Sequence, residues 1–320
     1  MQTATLRHLR YFVTVVDAGS ISRAAATIHV AQPALSRQMF ELEDVMGIDL
    51  LHRTARGVRP TAMGECLYRE AQRILRQVDE LPARIRGASG VIEGVVTIGM
   101  SSTLASYLAG QLMEACAAAF PQLKLRIVTN DSLQLKARVD ANQIDLAIVF
   151  EDQPAPEYSS RALFRQRLYF VSRTPLSAGF GQIITLQKTA ELPTVMPTLP
   201  NVLRILLDRV YQEAGLVPNV VGEADVFASL MGAVASGMGD AVLPIGDLAM
   251  SPGYSNLIVR QIAPPMYLSA ALIRAQDVPL SHVVGLVGRL TEDFIHRLVQ
   301  AGQIPGAEWI GAEAAQLEDQ

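Results

Sequence analysis

Two sets of side chains in this sequence have the types and spacing for recognition chemistry. The first is Gln32, Ser36, Arg37 and Gln38, in a segment that Gln32-Pro33 opens, followed by Arg53, Arg56 and Arg59. Gln can read an adenine edge, Arg can read guanine or grip a phosphate, and Ser can donate to either, so the cluster suits double-stranded DNA as well as it suits a plain solvated helix face. The second set is Ser101, Ser102, Thr103, Thr129, Asn130, Thr198 and Asn201, hydroxyls and amides standing where a strand gives way to a helix. Such groups take up a small polar ligand, or simply cap the next helix.

Enzymatic chemistry finds no comparable footing. His8, His29, His52, His282 and His296 are scattered, HExxH and GxSxG are absent, and the glycines from 232 to 239 lack both GxGxxG spacing and a phosphate-loop lysine. Glu151-Asp152 reads as a solvated turn at a strand end. Cys66 and Cys116 stand far apart without a CxxC pair and read as small half-buried residues. No catalytic residue, metal or cofactor is expected.

The elements that must position the first set are set by periodicity. Leu6, Leu9, Phe12, Val13 and Val16 form a helical stripe behind Thr5 as N-cap; Ser20 starts a short helix through Ile21, Ala24, Ala25 and Ile28; His29-Val30 makes a turn. Pro33 then sits in the first turn of a third helix, with Leu35, Met39 and Leu42 inward and Gln32, Ser36, Arg37 and Gln38 outward. Two short helices across a tight turn, the second with a polar outer face, are what entry into a major groove requires. After Gly47 the chain reads as strand, basic turn, strand, a wing that sets Arg53, Arg56 and Arg59 against phosphates. From Thr61 a long helix runs to about Gly87, with Leu67, Ile74, Leu75, Val78 and Leu81 on one side, more apolar surface than so small a domain can cover, so a second copy is expected on it.

Ser89, Gly90 and Gly94 mark a break, after which strands and helices alternate. Strands at 95–99, 123–128 and 146–150 with helices between them predict a parallel sheet covered by helices. A long strand or strand pair at 161–172 leaves this first lobe; strands near 194–196, 220–224 and 241–244 with helices at 202–214 and 227–236 build a second; strands at 258–262 and 267–273 and a last helix from His282 to about Val299 bring the chain back. The tail from Gly302 is expected to fray.

Charge divides the same way. Residues 1–88 carry 12 arginines and no lysine against 9 acids, or +3, within a chain of net charge −4, so the remainder carries −7. No apolar run reaches the length of a membrane span, and Asp17 interrupts the N-terminus before a signal peptide could form, so a cytoplasmic protein is expected.

The stretch LRHLRYFVTVVDAGSISRAAATIHVAQPALSRQMFELEDVMGIDLLHRTARGVRPTAMG closely resembles the N-terminal signature of the LysR-type transcription regulators, in the order and spacing of its L-x-x-F/Y, G-S-x-x-x-A-A, Q-P-A-L-S-x-Q, L-E and R-G-x-x-P-T-x-x-G pieces. VVTIGMSST, NQIDLAIV and GEADVFASLMGAVASGMGDAVLP resemble landmarks of that family's sensor domain, and IDLAIVFE and SGMG-AVLP loosely resemble its nitrogen assimilation control branch. The resemblance implies an N-terminal all-α winged helix-turn-helix (1–60), a linker helix and hinge (61–90), and a two-lobed α/β domain like the periplasmic binding proteins (91–320, with lobe 1 about 91–163 and 267–301, lobe 2 about 164–266 and a flexible 302–320). It implies DNA contact by Gln32, Pro33, Ser36 and Arg37 and by Arg53 and Arg56 of the wing, a homodimer or homotetramer, and RNA polymerase as a further partner. A small effector, a carboxylate or an amino acid, would enter the cleft, although no arginine stands out to clamp a carboxylate and Arg204 suits the surface equally well. An effector-independent DNA-binding regulator is the alternative; a solute-binding receptor leaves residues 1–88 without a role.

Overall fold

The computed structural model of the protein describes residues 3–54, 57–87, 92–151, 158–173, 183–245, 256–276 and 280–311. The chain divides into two compact units, the first Met1–Ser89 with Ala141–Gln143 and the second Gly90–Asp140 with Ile144–Gln320.

In the first unit, α1 (Leu6–Ala18) begins in a capping box: the Thr5 hydroxyl accepts from the His8 amide, and the His8 ring accepts from the Thr5 amide. It ends at Gly19 in the left-handed region. The short α2 (Ile21–Thr27) offers Ala24 and Ala25, both buried, so that α3 (Gln32–Met46) can cross closely. His29, with φ of 54°, closes the turn between them. Phe12, Val15, Leu35, Met39, Leu42, Leu50 and Val58 make the shared core. An antiparallel hairpin of β1 (Leu51–Thr54) and β2 (Gly57–Pro60) comes next, with His52 opposite Arg59 and Arg53 opposite Val58. Helix α4 (Ala62–Gly87) starts on the Thr61 hydroxyl, which accepts from Gly64 N–H, and packs Ala71 and Leu75 against Leu9 and Val13. Of the expected apolar stripe, Leu75 is buried, while Ile74 and Leu81 remain exposed.

The second unit opens with β3 (Gly94–Met100), α5 (Ser102–Ala119), β4 (Leu123–Thr129), α6 (Ser132–Asp140) and β5 (Leu146–Glu151), the three strands parallel in the order β4-β3-β5. The 15-residue β6 (Tyr158–Ser172) is the spine that joins the two lobes. Then come β7 (Ile183–Thr185), α7 (Leu186–Glu191), β8 (Thr194–Pro197), α8 (Val202–Glu213), β9 (Val220–Ala224), α9 (Phe227–Ser236), β10 (Ala241–Pro244), β11 (Ile258–Ala263), β12 (Tyr267–Ala275), α10 (His282–Gln300) and β13 (Ala307–Trp309). Residues 158–167 of β6 pair with β12, which returns antiparallel beside β5; residues 168–172 pair with β10 and β11. One strand thus leaves the first lobe and enters the second, with Leu163, Phe164, Leu168, Phe170 and Val171 buried along it. In the second lobe β7 joins β11, and β8 joins β9 and bridges to Asp240 ahead of β10.

Several expectations need correction. The tail does not fray as far as Gly311: β13 adds antiparallel to β6, Ile304 is buried, and the Trp309 ring lies 4.5 Å from that of His296. Glu151 is not in a solvated turn; it is 5 % exposed and meets Lys136 Nζ at 2.7 Å. Cys116 is buried, which pushes its thiol up, but Cys66 is exposed. The sequence pattern gives no sign of β7 and α7, which the structure adds. Arg56, the Ser89-Gly90 break and Asp152 lie outside the described residues. No described helix is long and apolar enough to cross a membrane.

Candidate nucleic-acid interface and inter-lobe cavity

Helix α3 owes its orientation to Leu35, Met39 and Leu42, all within 1 % of complete burial. At 100° per residue this leaves Pro33 and Arg37 on the opposite side and Gln32 and Ser36 on one flank. Gln32, Pro33 and Arg37 are exposed and Ser36 is half-buried. Gln38 does not project with them: it falls on the other flank, half-buried, with its carboxamide donating to Glu41. Phe40, 58 % exposed, continues the outer face.

The wing is pinned to this helix. Arg53 meets Glu43 at 2.8 Å and its guanidinium lies 3.7 Å above the Phe40 ring. Arg59 on β2 is exposed, and no acceptor for its guanidinium is found among the described residues. The sequence sets it against phosphates with the rest of the wing, although the family resemblance implies contact only by Arg53 and Arg56; its exposure on the hairpin keeps it a candidate cation for a phosphate.

In the second unit, all seven expected hydroxyl and amide residues line one cavity of about 590 Å³. Four helix N-termini, those of α5, α6, α8 and α9, contribute to its wall. Ser101 and Asn201 cap their own helices, accepting from Leu104 N–H at 3.3 Å and Leu203 N–H at 2.9 Å. The hydroxyls of Ser102, Thr103, Thr129 and Thr198 have no side-chain hydrogen bond among the described residues. Asn130 is oriented from three sides when its nitrogen donates to Gln134 Oε1 (3.1 Å) and Thr129 O (3.0 Å) and its oxygen accepts from Arg138 Nη1 (3.3 Å). The α9 N-cap, Val226, makes no side-chain cap, which leaves amides of that helix's first turn open to the cavity. Phe150, Leu230 and Leu268 supply apolar wall. Sequence reasoning missed Asp131, Ser132 and Asp225, which also line it; their places at or beside helix starts carried the same signal as the residues it found.

Arg204 is not available for a ligand's carboxylate. It donates to Asp208 at 2.8 Å and to Pro197 O at 3.0 Å and pairs with Glu223, whose hydrogen bond holds the guanidinium still more firmly protonated. Among the described residues no group of three or more His, Cys, Asp or Glu could hold a metal ion.

Comparison with known proteins gives these two sites a context. Residues 6–65 match the family of bacterial regulatory helix-turn-helix proteins of the lysR type, and residues 89–295 match the LysR substrate binding domain. The nitrogen assimilation regulatory protein nac of Escherichia coli strain K12 is 35 % identical over 268 residues, which cover 83 % of this chain and 87 % of that protein. Its counterpart from Klebsiella aerogenes is 33 % identical with the same coverage. Among solved structures, a full-length OxyR variant from Pseudomonas aeruginosa superposes with a TM-score of 0.69 at 23 % identity over 92 % of this chain and 95 % of its own. Full-length CbnR complexed with its target DNA gives 0.69 at 19 % identity over 91 % and 99 %. At these identities the two structures share the fold: an N-terminal helix-turn-helix domain and a C-terminal two-lobed domain.

Proposed function

The chain belongs to the LysR family of bacterial regulators, near the nitrogen assimilation control branch, and from that premise we propose which of its residues read DNA and which take up an effector. As a LysR-type transcriptional regulator it carries a DNA-binding domain and an effector-binding domain. In our reading residues 1–60 bind DNA, 61–90 link and dimerise, and 91–320 sense. Gln32, Ser36 and Arg37, with Pro33 beside them, meet base edges in a major groove; Arg53, Arg56 and Arg59 serve the backbone. The uncovered Ile74 and Leu81 of α4 support pairing with a second copy, and the family supports a homotetramer. RNA polymerase is the further partner, the cytoplasm the compartment, and no catalysis is assigned.

The observation that carries the sensing half is the convergence of seven hydroxyl and amide side chains, drawn from both lobes, on one cavity. Four helix N-termini in its wall favour polar or partly negative groups of a ligand. A ligand that touches both lobes would bind the closed arrangement more tightly and so shift its population, which changes how the paired DNA-binding domains sit on an operator.

The test is a mobility shift of the purified protein on its own upstream DNA across a salt titration, with and without pooled small metabolites. Sequence-preferring binding that a metabolite alters supports both halves. Binding indifferent to every metabolite removes the effector and leaves an effector-independent regulator; no preference over random DNA overturns the assignment of α3.

A further inference from the structure

The charge on the cavity wall bears on what enters it, an inference that rests on the effector reading above. Asp131, in the first lobe, caps α6 by accepting from Gln134 N–H at 2.8 Å; Asp225, in the second lobe, immediately precedes the α9 N-cap. Both residues line the cavity, Asp131 half-buried and Asp225 exposed, and no arginine, lysine or histidine does so among the described residues. The cations of the neighbouring helices have partners of their own: Arg204 has Asp208, Glu223 and Pro197 O, Lys136 has Glu151, and Arg138 donates to the oxygen of Asn130 on the cavity wall without lining the cavity itself. The partial positive charge of the four helix N-termini offsets part of this, but three of them already spend amides on Ser101, Asp131 and Asn201.

A second observation concerns Ser132. It is 6 % exposed and lines the cavity; its oxygen accepts from Phe150 N–H at 3.1 Å, and its own proton meets no acceptor among the described residues. A buried hydroxyl with an idle proton is a place for a ligand's acceptor.

We propose that the effector is a compact amine without net negative charge, cationic or zwitterionic, with its ammonium group facing Asp131 and Asp225 and a carbonyl, hydroxyl or carboxylate oxygen taking the Ser132 proton. A dicarboxylate meets two like charges and no charged side chain to compensate them. The same arrangement couples binding to closure. Asp131 and Asp225 belong to different lobes, so an ammonium group that attracts both would favour the arrangement in which the lobes approach.

Three five-carbon probes of equal length and different charge test this on the full-length protein by titration calorimetry: glutarate, 5-aminopentanoate and 1,5-diaminopentane. Asp131→Asn and Asp225→Asn are compared with the parent protein; Asn is as good an N-cap as Asp, so the first keeps α6 while removing its charge. The expected result is that both amines bind at least about tenfold more tightly than glutarate, and that each variant cuts this preference by about threefold or more. Glutarate binding as tightly as the amines, a preference unchanged in both variants, or no uptake of either amine at millimolar concentration each overturns the charge assignment. None of these outcomes touches the effector reading itself, which fails only if the pooled metabolites leave the operator complex unchanged.

Discussion

Arg53 on the wing and Glu43 on the recognition helix form one connected unit, with nitrogen and oxygen 2.8 Å apart and side chains 30 % and 12 % exposed. The other oxygen of Glu43 accepts from the amides of Leu50 and Leu51 at 3.0 and 3.1 Å, so a single carboxylate fixes both the entry into the hairpin and the cation on it. Glu43→Gln should therefore weaken the first unit by about 1–3 kcal/mol, the range for a partly buried charged hydrogen bond, and reduce DNA affinity although Glu43 itself repels phosphate. Denaturant unfolding and operator titration measure the two effects. Greater affinity with unchanged stability would mean that Glu43 acts only as a repelling charge.

Arg37 stands on the outer face of α3, free of the contacts that hold Arg53. Its replacement by Ala should cost ~1–3 kcal/mol on the cognate operator and relax the preference at one base position, if it reads guanine with both nitrogens. Competition with operators altered one base pair at a time reads this directly. A uniform loss across all of them would move Arg37 to the phosphate backbone.

Arg59 should behave in the opposite way. Exposed on β2 opposite His52, it can serve a phosphate without supporting the fold. Arg59→Ala is expected to leave the unfolding midpoint unchanged and to lower the slope of log affinity against log salt by about one, equally for every DNA sequence. An altered base preference would place it in a groove instead.

How much of this was legible in the sequence depended on whether the deciding contact was local. The stripes of α1 and α3 and the hydroxyls at helix starts were readable because periodicity and capping are properties of a few neighbouring residues. Gln38 and Arg53 read as free recognition groups, yet their partners, Glu41 and Glu43, compete for them through geometry that residue type alone does not convey. Trp309 lies in a Gly- and acid-rich tail that looks unstructured until β6 offers it an edge. The cavity stood between these cases: its individual residues were visible, while the excess of acid over base on its wall emerged only once Arg204 was seen to be occupied.

Gly64 is a further position whose reason is non-local. A Cβ there would stand 2.0 Å from the Leu50 carbonyl oxygen and 3.1 Å from Pro60 Cβ. That same oxygen accepts from Thr61 N–H at 2.9 Å, so it cannot retreat without releasing the start of α4. Gly64→Ala should thus cost about 3 kcal/mol or more, at the upper end of overpacking, despite the better helix propensity of Ala. An unfolding midpoint at or above that of the parent would show that α4 can slide away from the hairpin, and would remove this contact as the explanation for the glycine.

Asp240 gives the second unit a pH dependence of unusual sign. Its backbone ties the second lobe together, donating to Pro193 O and accepting from Val195 N–H, each at 2.7 Å. Burial raises its carboxyl from 3.8 to about 6, with nearby Arg260 pulling it only partly back. Arg260 is itself 7 % exposed and donates to the Ser172 hydroxyl at 3.2 Å. Because the folded carboxyl holds its proton more tightly than the unfolded one, the folded state binds more protons between about pH 4 and 6. This contribution is fully present below about pH 4 and is lost as pH rises through about 6. The loss is roughly 2–3 kcal/mol. Asp240→Asn should abolish that slope and be the more stable form above about pH 6, as urea midpoints measured from about pH 4 to 7 would show. If the parent gains stability over this window and the variant does not, the attraction of Arg260 outweighs burial, and Asp240 is a working ion pair.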